Sequence, residues 1–451
     1  MKGSRASGPR TKPLRVVLYE PSGRGGVCHY THQLGEHLAK AGAEVTLITT
    51  EEYELEHLDR HFRIDTLFRR SWPTRLRGGI ARFRRRPAER SGAPGAATAS
   101  GNASRSADAP GRAGRSFLRQ LRIRLLHLRA LVGFVRRRPD VVHVQWPVNR
   151  SLDAQFLRWL RRLGIPTVYT AHDVEPHSSP EEDRAGLQRL YDAATGIVVH
   201  GESNKRELLS IFGVDPSKIS VIPHGSFDLL CGPEPLDKAA ARRKLGLPPE
   251  KKVILFFGLI KRYKGLEYLV EAFRDVRRSD RDAFLLIVGE VFAGDPDGHR
   301  YYTRLIDELR EEEDVLCVAR YVPLEAVGDY LAAADVVALP YTRTYQSGVL
   351  LAAYAAGRPV VVTDTGALSE TVEEGKSGVV VAPGDAKSLA KGLRDLLADP
   401  KRMEEMGEHA RYLARTVFAW DTVAERTMEL YRSLLAPSAG PGRLLMVTRF
   451  L

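Results

Sequence analysis

Three cations crowd one short stretch, FFGLIKRYKG at 256–265, where Lys261, Arg262 and Lys264 follow Gly258 directly after an apolar run. Positive charge at the end of a buried strand suits an anion, above all one that gains charge during a reaction. A second segment points the same way. In VVALPYTRTYQSGVLLAAYAAGRPVVVTDTGALSE, residues 336–370, the run from Val336 to Leu339 reads as a strand stopped by Pro340. Ser347 and Gly348 then open a helix that ends near Gly357, and Pro359 leads into a second strand at 360–363. The first backbone N–H groups of such a helix, around Ser347, Gly348 and Val349, converge on one point and favour a phosphate or diphosphate. An ordinary strand–helix–strand connection with a serine cap would look the same on spacing alone.

Histidine and glycine extend the set. His172 and Asp173 end the run Thr-Ala-His-Asp just past another strand, at the edge where α/β domains present ligand groups. Imidazole there can hydrogen-bond a hydroxyl or share developing charge, with Asp173 orienting it or stabilising positive charge. A histidine that only caps its own loop is the plainer alternative. His143 and His224 sit in segments that read as packing or turning. Gly23, Gly25 and Gly26 precede the first helix without following the G-x-G-x-x-G dinucleotide pattern.

Strands must hold these groups in place. They are expected at 15–19, 44–49, 141–145, 167–170, 196–200 and 220–222, alternating with helices near 27–40, 153–163 and 205–212. A second series follows at 253–257, 284–288, 315–319, 336–339, 360–363 and 378–381. Such alternation predicts an α/β protein with parallel sheets covered on both faces. With 451 residues, 43% of them hydrophobic, two cores are expected. The expected division is a tail at 1–12, a first domain at 13–230, a linker at 231–250, a second domain at 251–416, a closing helix at 417–436 and a tail at 437–451. Residues 75–114, rich in Arg, Ala, Gly, Ser and Pro, bury too little apolar surface to offset their ordering entropy and read as a disordered insertion.

These segments, together with HVQWP (143–147), TAHDVEPH (170–177), VIPHGSF (221–227) and FFGLIKRYKGLEYL (256–269), resemble the retaining glycosyltransferases of family four, the "group 1" glycosyl transferases, in the sub-class centred on Gln-Ser-Gly-Val. The resemblance implies a GT-B fold: two doubly wound Rossmann-like domains facing a central cleft, with a final helix at 420–434 crossing back onto the first. It implies transfer of a sugar from a nucleoside-diphosphate donor to a hydroxyl of a saccharide or lipid-linked acceptor, with retention at the anomeric carbon, in envelope or exopolysaccharide synthesis. Lys264 aligns with the lysine that touches the donor phosphates, and Lys261 stands where relatives often have arginine. Arg262, Ser347, Gly348 and Val349 are expected beside them. Thr344, Gln346, Gly258, Glu290, Tyr321 and Glu370 are expected around the donor sugar and nucleotide. His172 resembles the histidine facing the donor sugar across the cleft, with Gly25, Gly26 and His177 on the acceptor side.

One departure stands out. The family's Glu-x7-Glu pattern has Thr344 and Ala352 in place of its carboxylates. Either Gln346 and Ser347 take over the polar contacts, or the chain is an inactive nucleotide-sugar-binding copy; the presence of His172, Lys264, Ser347 and Gly348 favours the first. A sugar-nucleotide epimerase of the same fold is the nearest enzymatic alternative. No carboxylate is evident as a nucleophile, so front-face attack is expected, the leaving β-phosphate taking the acceptor proton. No cofactor is expected beyond the donor, and no metal, because no Asp-x-Asp pair lies near the phosphate motifs.

Charge is uneven. Residues 1–230 hold 37 Lys+Arg against 23 Asp+Glu, while the remainder holds 31 against 33. The excess suggests an anionic partner such as a membrane leaflet. A helix expected at 117–138 carries Leu118, Leu121, Leu125, Leu128, Val132 and Val135 along one stripe and Arg122, Arg129 and Arg136 on another face. It can lie on a bilayer, although packing against the sheet is the commoner arrangement. Nucleic acid is not expected, because the basic residues are not interleaved with aromatics. No apolar run approaches the roughly eighteen residues of a spanning helix, no secretory stretch is evident, and three distant cysteines imply neither zinc nor disulfides. A cytoplasmic, peripheral location is expected.

Overall fold

The computed structural model describes residues 12–68, 133, 138–176, 184–231 and 237–436. The insertion expected at 75–114, nearly all of the basic helix expected at 117–138, and His177 lie outside the described residues.

The first half forms a parallel sheet of seven strands: β1 (Arg15–Tyr19), β2 (Glu44–Thr50), β3 (Arg63–Phe68), β4 (Val141–Val144), β5 (Thr167–Thr170), β6 (Gly196–Val199) and β7 (Ile219–Val221), in the order β3-β2-β1-β4-β5-β6-β7. Helices α1 (Gly25–Lys40), α2 (Arg150–Arg162), α3 (Arg184–Ala193) and α4 (Glu202–Ile211) connect them. Successive residues of β1 point to opposite faces, so Val17 and Tyr19 enter one apolar cluster and Val16 and Leu18 another. Both faces are therefore buried, which is why the strands read as near-continuous apolar runs.

The second half repeats the plan with β8 (Lys252–Phe257), β9 (Ala283–Val288), β10 (Val315–Val318), β11 (Val336–Leu339), β12 (Val360–Thr363) and β13 (Gly378–Val381), ordered β10-β9-β8-β11-β12-β13. Its helices are α5 (Lys238–Leu245), α6 (Leu266–Ser279), α7 (Pro296–Leu309), α8 (Leu324–Ala333), α9 (Gly348–Ala355), α10 (Ala367–Thr371), α11 (Ala386–Leu397) and α12 (Pro400–Arg415). Strand order reverses between β1 and β4 and between β8 and β11, opening a crevice at the C-terminal edge of each sheet. The lysines of 261–264, the loop leading to Ser347, and His172 all follow strands that end at these edges.

Two segments differ from expectation. The edge strand β3, RIDTLF, has Arg63, Asp65 and Thr66 among its first four residues, which leaves no apolar run to read. Helix α5 lies inside the segment expected as a linker; Asp237 caps it at Ala240 N, and Ala241 and Leu247 join the second core. The last described helix, α13 (Trp420–Leu435), packs on the first half. Its Val423, Met428 and Tyr431 pack with Leu34 and Leu38 of α1, and Trp420 Nε1 donates to Ser226 O at 2.7 Å. No helix among the described residues is long and apolar enough to cross a membrane.

Candidate functional site

Lys264 ends a single 3-10 turn between β8 and α6 and is only 8% exposed. Its Nζ donates to Tyr341 Oη at 3.1 Å, and among the described residues it has no carboxylate partner. A buried ammonium in that state is expensive unless something anionic arrives. Burial accordingly lowers its pKa. Gly258, at φ 108°, makes room for it: a Cβ there would sit 3.0 Å from Nζ and 3.4 Å from Val349 Cγ2. The lysine therefore lies beside the start of α9. Ser347 caps that helix, its Oγ accepting from Leu350 N at 3.4 Å and lying 3.5 Å from Tyr341 Oη. Gln346 Oε1 takes the Ser347 amide at 2.8 Å, while the amides of Gly348 and Val349 have no acceptor among the described residues. Gly348 is obligatory for another reason, since a Cβ would collide with the ring of Phe227 from the first half.

Lys261 lies nearby with Nζ 4.4 Å from the centroid of Phe292. Burial first, then the charge of Lys264, lowers its pKa, and Asp173 opposes the shift. Asp173 and Lys261 thus face one another across the halves, and both line a cavity of about 1380 Å³. Arg262 is placed differently. Its largely exposed side chain pairs with Asp295 at 2.7 Å, so meeting a phosphate would require giving up that pair. Tyr321 Oη donates to Glu54 Oε1 at 2.6 Å, joining the halves, and Glu54 Oε2 accepts from Gly25 N at 2.8 Å and lies 3.3 Å from His29 Nε2. His29 first, then Tyr321 and the Gly25 amide, hold the Glu54 carboxyl down to about 2. Gly26 has open space where a Cβ would be. Glu290 contributes its carbonyl to Ile260 N at 2.8 Å. Glu370, expected around the donor sugar and nucleotide, is held at the junction between the halves: it accepts from Ser203 N at 2.6 Å, capping α4, and from Arg206 at 3.1 Å.

The family described as "Glycosyl transferases group 1" matches residues 237–412, and "Glycosyltransferase Family 4" matches residues 24–226. A D-inositol 3-phosphate glycosyltransferase of Kineococcus radiotolerans is 31% identical over 331 residues, covering 68% of this chain and 74% of that protein. Its namesake in Corynebacterium glutamicum is 30% identical over 325 residues, covering 68% and 76%. The chain belongs to the group 1 glycosyltransferase family. Solved structures agree on the GT-B fold: sucrose-phosphate synthase from Thermosynechococcus elongatus superposes with a TM-score of 0.68 at 21% identity, over 94% of this chain and 99% of that one. HepE of Anabaena in complex with UDP-glucose gives 0.67 at 18% identity, over 93% and 100%.

In this glycosyltransferase both positions of the missing carboxylates are packed shut. Ala352 is fully buried in α9; Thr344 is 3% exposed, with Oγ1 donating to Gln346 O at 3.0 Å. Gln346→Ala is expected to weaken donor binding about 3- to 10-fold, the worth of one hydrogen bond. Ala352→Glu should leave turnover no better and lower the melting temperature, because the new carboxylate has no partner there. Titrating donor into both variants checks this; faster turnover in the Ala352→Glu variant would mean that the glycosyltransferase has decayed from the common pattern.

The sequence did not single out Tyr345. The residue is fully buried in a first-domain cluster with Val17, Tyr169 and Tyr191. Asn204 Nδ2 donates to its carbonyl at 2.9 Å, its Oη donates to Glu207 at 3.1 Å, and Arg343 reaches both Tyr345 Oη (2.7 Å) and Glu207 (3.2 Å). The loop carrying Gln346 and Ser347 is thereby pinned to α4.

His172 has protein partners on both ring nitrogens. His200 Nδ1 donates to Ile222 O at 3.1 Å, so its Nε2 accepts from His172 Nδ1 at 3.2 Å. His172 Nε2 is then an acceptor for Gln145, 3.2 Å away, whose amide must be turned so that its nitrogen faces the ring; that nitrogen otherwise lacks a partner. His224 lies tilted against His200, edge-on to Tyr30 and stacked on Phe227. Because His172 and His200 bond to one another, the three do not form a metal cluster, and among the described residues no group of His, Cys, Asp or Glu does. His143 is a packing residue, held by Tyr431 Oη at 2.6 Å and Thr170 Oγ1 at 2.7 Å.

Burial drives His143 and His224 down to about 3, His200 to about 4, and His172 well below its usual value. The unfolded chain, with histidines near 6.5, binds more protons than the fold between about pH 4 and 6.5. Stability is therefore expected to be flat above that window and to fall as pH drops through it, by up to about 1.4 kcal/mol per pH unit for each histidine. Melting temperatures at pH 7.5 and 5 test this. Equal values would show that these rings take up protons without unfolding.

Proposed function

We propose that this glycosyltransferase takes its sugar from a nucleoside diphosphate and transfers it with retention, without a metal. The observation that carries the reading is Lys264, a buried cation with no carboxylate partner among the described residues, placed beside the open amides of Gly348 and Val349. A diphosphate supplies the missing anion, and the site offers most where the β-phosphate gains charge on leaving. HepE, bound to UDP-glucose, offers a precedent for the donor class within this fold. In the proposed step the bond between the anomeric carbon and the β-phosphate oxygen breaks, the acceptor oxygen bonds to the same face of that carbon, and the acceptor proton passes to the departing phosphate. Lys264 and Lys261 hold the phosphates, Gln346 and Ser347 stand in for the missing carboxylates, and His172 and Asp173 form the acceptor-side wall.

Thermal shift with UDP, ADP, GDP and their hexose conjugates, in EDTA, tests the donor assignment. A rise in melting temperature with one nucleotide series is expected, since a ligand at 100 times its Kd adds about 2.7 kcal/mol. No shift from any of them, or a shift that needs magnesium, would overturn it. The anomeric configuration of the product, read by NMR, decides retention.

A further inference from the structure

The cavity shared by Asp173 and Lys261 is larger than a site for one small ligand. Sites for single drug-sized ligands enclose about 300–1,000 Å³; this one encloses about 1380 Å³. None of Lys264, Ser347, Gly348 or Val349 lines it, so it lies to the side of the diphosphate cluster and meets the reacting groups only at the Asp173–Lys261 corner. Its walls come from both halves: the loop after β4 with Trp146 and Asn149, the turn after β8 with Tyr263, the first turn of α6 with Tyr268, and the loop after β9 with Phe292. Those four aromatic rings are half-buried, each lining the cavity without being sealed in the core. Polar groups stand between them. Glu267, which also lines the cavity, is held by Tyr302 Oη at 2.8 Å, and Asp295 is held by Arg262.

Flat apolar faces separated by fixed hydrogen-bonding groups match a chain of pyranose rings, whose C–H faces are apolar and whose edges carry hydroxyls. A compact phosphorylated acceptor fits less well, because the Gly25 amide at the start of α1 is already engaged by Glu54. We propose that the acceptor is an oligosaccharide of at least two rings. Its terminal ring sits at the Asp173–Lys261 corner, and the following rings run over Trp146 and Tyr268 between the domains. This rests on the donor reading above for which ring is terminal, but the binding itself does not depend on the donor.

A glycan array probed with the full-length protein tests it. Signal is expected on glycans of two or more rings, at least tenfold above single sugars, and Trp146→Ala and Tyr268→Ala are each expected to lower it at least tenfold while leaving the nucleotide-induced thermal shift intact. Silence on all glycans, equal signal from single rings, competition of the signal by D-inositol 3-phosphate, or full signal in both variants would overturn the proposal. Glycan binding without any nucleotide shift would instead remove the donor reading and leave this one standing.

Discussion

Lys264→Ala is expected to lower kcat by roughly 100-fold or more, equivalent to about 3 kcal/mol of transition-state stabilisation, the cost of losing one preorganised donor at a developing oxyanion. Its melting temperature should change little or rise. The wild-type ammonium is buried with Tyr341 as its one hydrogen-bond partner among the described residues, so the fold loses little by giving it up. The two readouts separate a functional lysine from a structural one. A structural lysine would lose stability first and rate only as a consequence; an unaltered kcat would remove Lys264 from the phosphate site. Lys261→Ala should cost less, because this side chain is less buried and Asp173 already offsets part of its charge.

Tyr345→Ala is expected to cost about 3–5 kcal/mol of unfolding free energy, in the range for emptying a large buried aromatic site. Tyr345→Phe, which keeps the ring and drops the hydrogen bonds of its hydroxyl, those to Glu207 and Arg343 among them, should cost about 1 kcal/mol. Urea unfolding of both variants gives the comparison. The alanine variant should also bind donor more weakly, since the residues that follow, Gln346 and Ser347, would lose the anchor that fixes their loop. If Tyr345→Ala proved as stable as wild type, the ring would not be seated among Val17, Tyr169 and Tyr191 in solution.

Much of this was legible in the chain. Central strands such as β8 and β11 were readable to within a residue because both faces are buried, leaving unbroken apolar runs; β3, at an edge, lacks that property. Lys264, Ser347 and Gly348 were readable because their spacing relative to a strand end is itself the signal. Their partners were not. Tyr341 reaches Lys264 from just past another strand, and Gln145 and His200 reach His172 from just past two others, so only the folded sheet brings them together. His200 did carry a signal, a histidine one residue past β6 much as His172 lies just past β5. Arg262 and Glu370 stand near the candidate segments in sequence, yet in the fold a nearby opposite charge holds one and an open helix N-terminus holds the other.

The seating of Tyr345 also bears on how interchangeable the halves are. A chimera that joined this second domain to a foreign first domain would carry a tyrosine with no socket, an Arg343 without Glu207, and a Glu370 with no helix to cap. The graft boundary that preserves the loop carrying Gln346 and Ser347 is therefore not the stretch between the sheets: α4, though it belongs to the first sheet by sequence, would have to travel with residues 342–348.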